Sequence, residues 1–331
     1  MTSESNVKPM SLSKGNEFVG TGIPSLDAVI GGGYPVGSLV LINQDEEGIY
    51  SDLFMKVFIA QGLVNDDHLI FASNDCDTKR AVEHLPCLAD VETEELEKVP
   101  SGSMQIAWRY EKHYKPRIEV NRYRTLSNNF FFKRSGLQDK FNSSNITHWP
   151  GNGPGTFQDL EETILTALRV NNFQNNRKRD DKSILRVAIQ NLGSFFWNNN
   201  QKEIPRFLFR LRSICHSSRA VFLITMPKHL MEEDYFSTRS EQMSDIVISL
   251  EALNGDANPL YSEYNGLIKF IKVSPIRTLC PSVTEGKDWA FKLVKKKLII
   301  VRLTLPPELN DSTQREQDTF SCATSNKILQ F

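Results

Sequence analysis

Residues 44–51, QDEEGIYS, are where this chain comes closest to carrying recognisable chemistry. The apolar run Ser38-Leu39-Val40-Leu41-Ile42 precedes them, and a helical pattern with Leu53, Phe54, Val57 and Phe58 follows. Strand, loop and helix in that order frame a phosphate-binding loop, whose working form is G-x-x-x-x-G-K-[ST]. Its glycines let backbone N–H groups wrap phosphate oxygens, its lysine neutralises charge, and its hydroxyl holds magnesium. On that template Gln44 replaces the first glycine, Ile49 the second and Tyr50 the lysine, and only Ser51 matches. Asp45, Glu46 and Glu47 fill the interior beside Gly48. Each carboxylate held against a triphosphate costs energy on the order of kcal/mol at an effective dielectric near 20. A helix N-terminus attracts anions, and these side chains can take that role themselves. The expectation is a self-satisfied helix start that binds no nucleotide alone.

The other half of such a centre is an acid at the end of a later apolar strand, which positions magnesium and water. The matching stretch, ILRVAIQNLG (184–193), ends instead in Gln190 and Asn191. Neither amide brings the charge that holds a metal ion. Glu203 and Asp245 are stray acids near element ends, where such residues are mostly surface charges. Ser194 after Gly193 forms no G-x-S-x-G elbow. The six histidines lack metal-binding spacing, and the five cysteines form no close pairs. They read as reduced thiols of the cytosol or nucleus. No catalytic residue, metal or cofactor is expected.

The elements that hold these positions follow from periodicity. Strands are predicted over 38–43, 68–72, 104–108, 184–189, 220–225 and 245–250, and helices over 51–62, 77–90, 157–170 and 204–216. Strands that are nearly all apolar belong to a parallel sheet covered on both faces. LIKFIKV (267–273) and KLIIVRLTL (297–305) have no helix between them and predict added antiparallel strands. The fold class is therefore α/β: a mostly parallel sheet flanked by helices, with antiparallel strands near the C-terminus. Residues 1–18 read as a flexible lead, 19–305 as one domain with polar inserts at 110–155 and 171–183, and 306–331 as a disordered tail. The 331 residues carry a net charge of −1, which excludes a wholly basic nucleic-acid coat but not a local basic surface. No signal peptide and no membrane span is expected.

The glycine-rich entry GTGIPSLDAVIGGGYPVGSLVLI (20–42) resembles that of RecA-type ATPases. With GIYS, IAWRY, IQNLGS, ITMPKHL, SDIVISLE, NPLY, GLIKF and FKLVKKKLIIVRLTLPPEL in order over about 18–310, the series is similar to the fourth-subunit family of the Elongator complex. The resemblance implies a RecA-like fold and a non-catalytic subunit. It implies a six-membered ring with the related fifth and sixth subunits, transfer RNA binding, and docking onto the catalytic subcomplex that modifies wobble uridine at carbon 5. It places the chain in cytoplasm and nucleus. Two alternatives stand beside it: a divergent ATPase with a non-standard site, and a pure assembly scaffold.

The best basic cluster is WRYEKHYKPRIEVNRYR (108–124), with Arg109, Lys112, Lys115, Arg117, Arg122 and Arg124 interleaved with aromatics including Tyr110. Cations track phosphates and aromatic faces stack on splayed bases, which makes these the candidate RNA contacts. Lys295-Lys296-Lys297 reads as a charge guard on an edge strand. Phe195, Phe196 and Trp197 form either an interface patch or part of the core.

Overall fold

In the computed structural model, residues 11–13, 16–88, 126–132, 145–150, 155–173, 183–197, 201–231, 233–253, 261, 263–273 and 289–303 are described. The strands in chain order are β1 (Ser11–Ser13), β2 (Asn16–Val19), β3 (Tyr34–Pro35), β4 (Leu39–Asn43), β5 (His68–Ala72), β6 (Cys87–Leu88), β7 (Phe130–Phe131), β8 (Ile146–Trp149), β9 (Leu185–Ile189), β10 (Ala220–Met226), β11 (Ile246–Ala252), β12 (Gly266–Val273), β13 (Trp289–Val294) and β14 (Lys297–Arg302). The helices are α1 (Pro24–Ile30), α2 (Ile49–Val64), α3 (Thr78–Glu83), α4 (Phe157–Val170), α5 (Glu203–His216) and α6 (Asp234–Met243).

Nine strands form one sheet in the order β14-β13-β12-β11-β4-β10-β9-β5-β8. Neighbours from β11 to β8 are parallel. The pairs from β11 through β14 are antiparallel. The expected mostly parallel sheet with antiparallel C-terminal strands is therefore present. β4 is buried at every position. Val40 and Ile42 enter one core with α1 and α2, while Leu39 and Leu41 enter the other with α4 and α5. That is the two-residue period of a strand covered on both faces.

Local chemistry sets the element ends. A reciprocal cap starts α4: Thr156 Oγ1 accepts from Asp159 N at 3.2 Å, and Asp159 accepts from Thr156 N at 3.1 Å. Gly31, Gly32 and Gly33 all have positive φ. At Gly33 a Cβ would sit 2.3 Å from the Val19 carbonyl oxygen, so this turn takes only glycine. Beneath α2, Arg186 is fully buried and pairs with Asp67 at 2.8 Å. Its guanidinium also donates to Gly20 O at 3.1 Å. Gly62 of α2 leaves the room, since a Cβ there would meet Arg186 Cδ at 2.7 Å.

Several expectations shift. The helix predicted over 77–90 stops at Glu83, because Pro86 disfavours helical backbone at the residue before it; Cys87 and Leu88 then pair with β7. Ile146–Trp149, inside the stretch read as an insert, is the edge strand beside β5. Lys295 and Lys296 are not a guard along an edge strand. Both have positive φ and form the two-residue turn of the β13–β14 hairpin, and Lys297 lies over the Phe131 ring at 4.6 Å. The predicted strand 104–108 lies outside the described residues.

Candidate functional site

The loop after β4 closes on itself. Asp45 is only 1% exposed. Its carboxylate accepts from Ser51 N at 3.0 Å and Tyr50 N at 3.3 Å. Gly48 N donates to the Asp45 carbonyl at 3.0 Å, and Gly48 takes a left-handed φ of 68° to begin α2. Ser51 Oγ, the hydroxyl retained from the template, donates to Gly48 O at 2.9 Å. Two N–H groups of the first turn of α2 thus already face an anion, and it is part of the chain. Tyr50, at the lysine position, turns into the core and packs edge-on against Phe291 at 4.8 Å.

The strand ends beside this loop are joined by amides. Gln44 Nε2 donates to Thr225 Oγ1 at 3.0 Å and also to Asn191 Oδ1. Asn191 N donates to Thr225 Oγ1 at 2.9 Å, and Asn191 Nδ2 to Asp75 at 2.9 Å. Ser194 Oγ donates to the other Asp75 oxygen at 2.6 Å. Gln190 Nε2 donates to Asp52 at 3.1 Å, and Lys56 pairs with the second Asp52 oxygen at 2.6 Å. The ends of β4, β5, β9 and β10 are thereby stitched together where open α/β sheets place ligands. Both acids nearest the centre, Asp52 and Asp75, hold donors on each oxygen. Partial desolvation pushes the Cys76 thiol up, and Asp52, Asp75 and Asp77 add to that push. It remains a neutral thiol at neutral pH, so it is not an activated nucleophile.

The structure brings together Gln44 through Ser51 with Gln190 and Asn191. Thr225, Asp75, Ser194 and Asp52 complete the network and escaped sequence reasoning. The usable signal for Asp75 was its place just past the carboxyl end of an apolar strand. The stray acids separate. Asp245 lies at the opposite, amino edge of the sheet, where it accepts from Leu39 N at 3.0 Å and pairs with Arg212 at 2.8 Å and His216 at 2.9 Å. Burial alone would raise its carboxyl, but the bonds from His216 and Leu39 and the nearby cationic charge hold it below the usual range. Glu203 lies on the first turn of α5. Arg109, Tyr110, Lys112, Lys115, Arg117, Arg122 and Arg124 fall outside the described residues. Among the described residues, no group of three or more His, Cys, Asp and Glu side chains could hold a metal ion. No helix among them is long and apolar enough to cross a membrane.

Aromatic residues divide sharply after β9. Trp197 is buried and stacks between Trp149 at 5.5 Å and Phe157 at 6.0 Å, donating Nε1–H to Gln190 O at 3.1 Å. Phe195 and Phe196 are 80% and 61% exposed.

A family model described as PAXNEB protein matches residues 2–331. The chain belongs to the PAXNEB family. It is 33% identical to Elongator complex protein 4 of Mus musculus over 358 residues, covering 96% of this chain and 84% of that one. Identity to Elongator complex protein 4 of Homo sapiens is 32% over 344 residues, covering 92% and 80%. PAXNEB membership and these relatives agree with the Elongator-subunit resemblance. A solved structure, a KaiC-like protein of Pyrococcus horikoshii, aligns with a TM-score of 0.48 and 15% identity, covering 86% of this chain and 98% of that one.

Proposed function

We propose that this PAXNEB chain is a non-catalytic subunit of an Elongator assembly, built into a six-membered RecA-like ring with the related fifth and sixth subunits. The ring binds transfer RNA, docks onto the catalytic subcomplex and supports modification of wobble uridine at carbon 5, in cytoplasm and nucleus. The single observation that carries the non-catalytic reading is the Asp45 carboxylate seated on the Tyr50 and Ser51 N–H groups. A phosphate entering there must displace a buried acid from its donors, with Glu46 and Glu47 adding repulsion. The amides at Gln190 and Asn191 support the same reading, because a magnesium ion would find neutral oxygens already shared with neighbours. Tyr50 offers no cation. Fold and chemistry are separable, so a nucleotide-binding frame can serve assembly alone.

The test has two arms. The purified chain is titrated with a fluorescent ATP analogue and magnesium, and the expected result is no saturable binding. Tight, magnesium-dependent binding by the isolated chain would make it a divergent ATPase instead. The chain co-expressed with the fifth and sixth subunits is then weighed by native mass spectrometry and titrated with transfer RNA across salt. A six-subunit mass with salt-dependent affinity is expected; a ring with no affinity for transfer RNA would leave only the scaffold.

A further inference from the structure

α5 presents cations in register. Lys202 immediately precedes the helix with helical backbone, and Arg206 and Arg210 follow at four-residue steps. Four residues rise about 6 Å along an α-helix, so the three side chains form one stripe. All three are exposed. Arg210 shares its charge with Glu161 at 2.8 Å. Lys202 and Arg206 form no ion pair among the described residues.

At the amino end of this stripe stands the loop that follows β9. A Cβ on Gly193 would meet Ile204 Cδ1 at 2.8 Å and Met231 Cε at 2.7 Å, so the loop is clamped against the first turn of α5. The loop carries Phe195 and Phe196, edge to face with centroids 5.9 Å apart. Phe209, 60% exposed, lies on α5 between Arg206 and Arg210 in sequence. Beside the stripe is a cleft of about 350 Å³ lined by Thr156, Phe157, Trp197, Glu203, Arg206 and Arg210.

We propose that the exposed Phe195–Phe196 blade and the Lys202–Arg206–Arg210 stripe of α5 form a seat for unpaired RNA nucleotides, with bases stacking on the blade and phosphates tracking the stripe. This rests on the transfer-RNA-binding reading above and gives it a surface among the described residues. Cations at regular spacing beside protruding aromatic rings suit a single strand, whose bases all offer a π-face. A docked protein is the competing occupant, because interfaces enrich arginine and aromatic rings; the lysine they deplete, and two neighbouring cations without an ion pair among the described residues, favour a polyanion. Water solvates these cations until phosphates replace it.

The seat is tested in the full chain assembled with its two related subunits, using labelled oligouridylate, a fully paired RNA duplex and transfer RNA. Phe195→Ala/Phe196→Ala is expected to weaken oligouridylate and transfer RNA binding about ten-fold, with an unchanged salt slope, because stacking releases no counterions. Phe195→Trp/Phe196→Trp should restore affinity and show fluorescence quenching on oligouridylate addition. Lys202→Ala/Arg206→Ala should flatten the log–log salt slope by about 1.4, at about 0.7 for each lost phosphate contact. Duplex binding should be insensitive to the aromatic change. If the wild-type assembly binds transfer RNA and all variants bind it equally, the seat is wrong and the broader reading survives. If the variants instead lose a subunit while RNA affinity per intact ring is unchanged, the surface is a protein interface and the proposal falls. A wild-type assembly with no affinity for transfer RNA overturns the broader reading and the seat together.

Discussion

The amino end of α2 and the exposed stripe of α5 are both suited to anions, and they are in opposite states. At α2 the Tyr50 and Ser51 N–H groups are held by Asp45, 1% exposed, inside a network of amides and carboxylates. Along α5, Lys202 and Arg206 stand in solvent. Depth separates the two cases. A buried N–H without an acceptor costs about 1–3 kcal/mol, so a helix start that gives up phosphate needs an anion of its own. An exposed cation is satisfied by water and needs no partner until one arrives. Closure of the inner site and availability of the outer surface are two consequences of the same accounting of polar groups.

The largest effect lies beneath α2. Arg186→Ala removes the guanidinium that faces the buried Asp67 under α2, and the expected loss is about 3–5 kcal/mol by chemical denaturation. A smaller loss would mean that water or a neighbour neutralises Asp67, and that α2 rests on packing alone. Next comes Asp45→Ala, which uncaps α2 and should cost about 1–2 kcal/mol. It also sharpens the contrast: at matched ionic strength, inorganic phosphate should raise the midpoint of this variant more than that of the wild-type chain. ATP with magnesium should still show no saturable binding, since Tyr50 leaves the lysine position without charge.

Acid gives a more moderate effect at the amino edge of the sheet. The folded-state carboxyl of Asp245 lies below its unfolded value, so its stabilisation is fully present above about pH 4 and is lost as pH falls through the folded value. Asp245→Asn should flatten the acid limb of a stability-against-pH curve while leaving the relative contribution of Asp45 at neutral pH unchanged. The smallest effect belongs to the exposed surface. Phe195→Ala/Phe196→Ala should alter stability by less than about 0.5 kcal/mol per site, measured by denaturation, because both rings are mostly in water. A larger loss would assign the pair to the core.

Whatever depends on period and residue type is legible in the chain before it folds. The nearly all-apolar runs of β4, β9 and β10, broken only at Asn43, Arg186 and Thr225, pointed to burial on both faces, and the stripe of Leu160, Ile164, Leu165 and Leu168 marked the α4 helix. The missing lysine and the amides at Gln190 and Asn191 were equally plain, because each is a statement about one position. Which groups meet depends on the folded arrangement of the strands. Three neighbouring acids could have capped α2, and only the loop geometry selected Asp45. Asn191 and Asp75, 116 residues apart, meet because β9 pairs with β5. Phe196 and Trp197 are chain neighbours with opposite fates, one in solvent and one stacked between Trp149 and Phe157. Periodicity acts within a few residues and survives in the one-dimensional pattern. Contacts between strand ends depend on the order in which the sheet is assembled, and no local pattern carries that order.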